Sequence, residues 1–157
     1  MRWAFIAVAM LIGTPLPALA QASAASASAS PAPYANPQPS IDHPRKVVLS
    51  LSERDPARVN EIIGNVGNIQ KFYGADNVHI TLVAYGPGVH AVLKNDNPVR
   101  ARIAGLLAIG VDVLACDATL QSLHLTGSDL VPGVRIVPNG LPAIIELQVA
   151  GSYYVRP

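Results

Sequence analysis

From Lys46 onward, apolar runs of strand length alternate with stretches whose apolar residues recur every three or four positions. The first run, Lys46-Val47-Val48-Leu49-Ser50-Leu51, is nearly apolar throughout, as strands covered on both faces are. Asp55-Pro56 then offers a cap and a proline at the first helical position. Val59, Ile62, Ile63, Val66, Ile69 and Tyr73 follow at helical spacing, and Gly74 is a natural stop. Gly64 and Gly67 inside this helix each cost about 1 kcal/mol against alanine, which predicts close packing on a neighbour. Val78 to Ala84 is a second strand, followed by the turn Tyr85-Gly86-Pro87-Gly88 and a short element from Val89 to Lys94. Asn97-Pro98 is expected to cap a second helix with the stripe Val99, Ile103, Leu106 and Leu107, stopped by Gly110. Val111 to Cys116 is a third strand, Thr119 to about Leu125 a short helix, and Val134 to Val137 a fourth strand. A last helix, Asn139 to Ala150, carries Leu141, Ile144, Ile145 and Gln148 along one face, and Ser152 to Val155 reads as an edge strand.

Strands alternating with helices over short connections predict an α/β fold. The expectation is a three-layer sandwich: a five-stranded, mostly parallel sheet with helices on both faces. The flavodoxin-like strand order fits five strands of this kind. The folded domain is placed at residues 44–157.

The first 43 residues follow a different pattern. A basic Met1-Arg2, an apolar stretch from Trp3 to Gly13, and an ending in Ala18-Leu19-Ala20 have the layout of a secretory signal peptide cut after Ala20. A membrane anchor is the alternative, but a helix of that length reaches only about 16 Å against roughly 30 Å of hydrocarbon. Residues 21–43 are rich in Ala, Ser and Pro, too poor in apolar side chains to offset the entropy of ordering, and are expected to be a disordered tether. The expected location is therefore periplasmic or secreted. Once Arg2 is removed with the leader, the 11 basic residues fall to ten, equal to the 10 acidic ones. With no basic cluster, nucleic acid and stable insertion in a membrane are both disfavoured.

Chemistry then narrows to one side chain. Cys116 is the single cysteine of the chain, so an internal disulfide is impossible. It closes the third strand, and parallel sheets bind their ligands at the carboxyl edge. The start of the next helix favours a thiolate, whereas the neighbouring carboxylate of Asp117 opposes one. Burial as a small apolar side chain is the competing reading. The Gly86-Pro87-Gly88 turn lacks a donor at Pro87 and makes a poor phosphate cradle; it is read as leaving Tyr85 at the mouth where Cys116 emerges. Asn65 and Asn68 share a helix face and either bond nearby loops or line the pocket edge or a subunit contact. Thr119 and His124 are candidate neighbours of the thiol, while His79 is read as structural. No ligand cluster for a metal and no cofactor motif is evident, and no Gly-x-Ser-x-Gly elbow occurs.

Several of these motifs together resemble the DsrE/DsrF-like family: Asn65-x-x-Asn68, Tyr85-Gly86-Pro87-Gly88-Val89, Gly110-Val111 leading to Cys116, and Asp129-Leu130-x-Pro132. The most specific stretch is Glu146-Leu147-Gln148-x-x-Gly151-x-Tyr153-x-Val155-Arg156-Pro157. The resemblance implies a compact α/β sandwich, commonly a trimer or hexamer, and places Cys116 on the persulfide-carrying cysteine of the sulfur-relay members. A sulfur donor or acceptor protein is then an implied partner. Two departures, Tyr85 where many relatives have His and Asp117-Ala118 in place of a neutral pair, predict a less acidic thiol. Two functions stay open: a persulfide carrier or sulfurtransferase with a solvent-reachable Cys116, and a non-catalytic oligomeric module that binds a small ligand or protein.

Overall fold

The computed structural model describes residues 35–157; the expected leader and most of the expected tether fall outside the described residues. Five strands, β1 (Arg45–Leu51), β2 (Val78–Ala84), β3 (Asp112–Cys116), β4 (Arg135–Val137) and β5 (Tyr153–Val155), form one sheet in the order β4-β3-β2-β1-β5, every pair parallel. Four helices connect them: α1 (Pro56–Tyr73), α2 (Arg100–Ala108), α3 (Asp117–Ser122) and α4 (Gly140–Val149). The α/β class and the edge position of β5 agree with the sequence pattern. The strand order does not follow the flavodoxin scheme: β1 lies between β2 and β5, and the chain steps outward from β1 to β4 before returning to the opposite side.

Local signals act where the chain places them. Asp55 accepts a bond from Ala57 N at 3.0 Å, Pro56 opens α1, and Gly74 closes it at φ 89°. Asn97 bonds toward the helix start, its Oδ1 accepting the Val99 N–H at 3.0 Å, and it also serves the preceding loop. Its amide nitrogen ties down Ala91 O and Leu93 O, both at 2.7 Å, and α2 begins only at Arg100. The short element expected at Val89 to Lys94 is a 3-10 segment that starts earlier, Gly86–Val92.

The two faces of the sheet are unequally covered. One packs Val47, Leu49, Leu51, Ile80, Leu82 and Val113 against α1, α2 and the 3-10 segment, which bring Val59, Ile63, Val66, Val92 and Ile103. The other packs Val48, Val83 and Leu114 against α4 alone, through Ile144 and Leu147. The expected apolar face of α4 is therefore corrected: Ile144 is buried, while Leu141, Ile145 and Val149 are 55%, 56% and 77% exposed. Gly64 and Gly67 also depart from expectation, since a β-carbon at either would meet nothing within 4 Å. Among the described residues no helix is long and apolar enough to cross a membrane.

Candidate functional site

Cys116 follows Leu114 by two residues and so faces the α4 side of the sheet. The β2–β3 ladder pairs Ala84 with Ala115, and one further step sets Tyr85 beside Cys116. The start of α4 descends onto this pair. A β-carbon on the buried Gly140 would lie 2.7 Å from Tyr85 Cβ and 3.4 Å from Cys116 Cβ, so only glycine lets the helix approach this closely. The turn after β2 is held just as tightly. Gly86 takes φ 52°, and a side chain on Gly88 would fall 1.9 Å from Leu51 O.

Three strand-end loops thus close around one sulfur. The Gly86 N–H donates to Thr119 Oγ1 at 3.0 Å, joining the β2 loop to α3. The Ala118 N–H donates to Pro138 O at 3.2 Å, joining α3 to the β4 loop. Gly140 fills the remaining side. Cys116 occupies the position preceding α3, where its side chain makes no close capping bond. Donors nonetheless face the sulfur and gain when it ionises. Burial pushes the Cys116 thiol up, but the Thr119 hydroxyl, then the N–H groups of Thr119, Gly140 and Ala118, bring it below its ordinary value.

This corrects the expected handicap from Asp117. Its carboxylate turns along α3 to accept from Gln121 Nε2 at 2.6 Å and is not among the groups that set the thiol's pKa. A second expectation also changes: Cys116 is only 3% exposed, so the thiol is covered rather than open. Tyr85 and Thr119 lie beside Cys116, and Gly86 reaches the site through its bond to Thr119. His124 does not: it ends α3 in a left-handed conformation, φ 56°, exposed to solvent. Asn65 and Asn68 sit on α1, on the opposite face of the sheet from Cys116. His79 is exposed within β2. Gly140 was missed by sequence reasoning; its one signal is a small residue opening a helix directly after a strand.

The fold and site define an α/β protein whose buried thiol lies at the carboxyl edge of a parallel sheet, held by donors from several loops. Residues 46–157 match the DsrE/DsrF-like family, and the chain belongs to it. Among solved structures it is similar to the protein of unknown function MTH1491 from Methanobacterium thermoautotrophicum, with 34% identity and a TM-score of 0.68 over 72% of this chain and 99% of that one. It is also similar in fold to the conserved protein of unknown function BT1422 from Bacteroides thetaiotaomicron, with 20% identity and a TM-score of 0.58 over 71% and 94% of the two chains. The ychN protein from E. coli has 13% identity and a TM-score of 0.57 over 73% and 99%. No curated protein matches the chain.

Proposed function

We propose that this sulfur-relay-related family member carries sulfur on Cys116 as a persulfide. The observation that carries the reading is the set of donors around the sulfur, led by the Thr119 hydroxyl, which together lower its pKa despite burial. The thiolate attacks the outer sulfur of a sulfane donor such as thiosulfate, forming Cys116–S–S⁻ and releasing sulfite. An acceptor thiolate then attacks that outer sulfur and regenerates the Cys116 thiolate. The same donors suit the anion in both states, because the charge only moves one atom outward. Access requires the cover formed by Tyr85 and the start of α4 to give way. The test is to incubate reduced protein with thiosulfate and look by mass spectrometry for one added sulfur, which Cys116→Ala abolishes. Absence of the adduct on folded protein, with a thiol inert to small alkylating agents, overturns the reading.

The second reading, a non-catalytic oligomeric binding module, is favoured by one observation, the 3% exposure of Cys116. Both readings include a homo-oligomer. Its support is the stripe Leu141, Ile145, Val149 at intervals of four on the outer face of α4, a surface suited to a second copy of this chain. Ile145→Glu is expected to lower the mass seen by light scattering; an unchanged mass removes that surface. The reading also retains export through residues 1–20 and location outside the cytoplasm, checked by the intact mass of the exported protein.

A further inference from the structure

A cavity of about 470 Å³ opens at the carboxyl edge of β1 and β2, among the start of α1, the 3-10 segment and the loop before α2. It shares no lining residue with the surroundings of Cys116 and is independent of the persulfide reading. Its volume falls within the range of small-molecule pockets. The buried Val59, Ala91 and Val99 give it an apolar wall, and the more exposed Arg54, Asp55 and Asp96 bring charge to it.

The charges are not equivalent. Asp55 is engaged by the Ala57 N–H, at 3.0 Å. Among the described residues Arg54 and Asp96 each make no hydrogen bond or ion pair, and they do not pair with each other across the cavity they both line. Asp96 is held in place in a left-handed conformation, φ 48°, by its neighbour Asn97, whose side chain bonds Ala91 O, Leu93 O and Val99 N. His90 contributes a ring that burial, and then the nearby Arg54 charge, bias toward its neutral form, leaving one N–H to donate.

We propose that this cavity binds a small zwitterion, an α-amino acid with a short apolar side chain. Its carboxylate meets Arg54, a guanidinium suited to two parallel hydrogen bonds, and its ammonium meets Asp96. The side chain rests on Val59, Ala91 and Val99. A simple anion would leave Asp96 unanswered, and a simple cation would leave Arg54 so.

The test is an NMR titration of the folded protein with L-valine, isovalerate and isobutylamine, the last two lacking the amine and the carboxylate in turn. L-valine is expected to shift the amides of Ala57 to Val59 and Ala91 to Val99 saturably. Each half-ligand is expected to bind at least about tenfold more weakly, the loss of one charge-assisted contact. Arg54→Gln and Asp96→Asn, both at exposed positions, are expected to weaken L-valine about tenfold each while leaving the circular dichroism unchanged. No saturable shift with L-valine, isovalerate binding as tightly as L-valine, or folded variants that retain full affinity each overturn the proposal.

Discussion

Thr119 Oγ1 accepts the backbone N–H of Gly86 at 3.0 Å across 33 residues of chain, and the same hydroxyl leads the donors that lower the pKa of Cys116. The first bond fixes how the hydroxyl can act. With a lone pair committed to Gly86, its hydrogen is left for the sulfur. A turn after β2 thereby influences the acidity of a thiol at the end of β3.

Thr119→Val is expected to raise the thiol pKa and slow alkylation at pH 7 by about tenfold, the value of one hydrogen bond to a charged group. Thr119→Ser keeps the hydroxyl and stays near wild type. The linkage has a definite sign. Because the folded-state pKa of Cys116 lies below the ordinary thiol value of 9.0, the stabilisation is fully present above that value and is lost as pH falls through the folded one. Denaturant titrations should therefore show wild type gaining on Cys116→Ala as pH rises across that window. A difference independent of pH would remove the thiolate from the account.

Asp117→Asn is expected to change the alkylation rate by less than about twofold, because the carboxylate is directed at Gln121 and screened by solvent. A several-fold acceleration would mean that its charge does reach the sulfur.

Gly140→Ala is expected to cost about 1–3 kcal/mol in chemical denaturation, since the new β-carbon meets Tyr85 Cβ at 2.7 Å. Tyr85→Ala should not rescue it, because alanine retains the atom in conflict. Full rescue would show that the aromatic ring, rather than the backbone approach, sets the distance.

Glycines of the same type have opposite expected outcomes. Gly64→Ala and Gly67→Ala each fill open space on α1 and should stabilise by about 0.5–1 kcal/mol. Gly88→Ala places an atom 1.9 Å from a main-chain carbonyl and should prevent normal folding. Thermal melts of the three variants check both halves, and a destabilised Gly64→Ala would reveal a neighbour on that face, such as a second copy.

Sequence alone determined the strands and helices, the caps at Asp55 and Gly74, and the placement of Cys116 with Tyr85 at the carboxyl edge. These follow from hydrophobic period and backbone chemistry, which act over a few residues. Tertiary structure decided the rest. The return of β5 to pair with β1 depends on which edge the last helix crosses, a choice that no local period encodes. Gly64 and Gly140 look alike in the sequence, yet one faces open space and the other touches Tyr85. Asp117 adjoins Cys116 in the chain but acts on Gln121, whereas Gly140, far along the chain, is among the donors that face the sulfur. Acidity is set by distances through space to oriented donors, and those distances exist only once the sheet has brought its strand ends together.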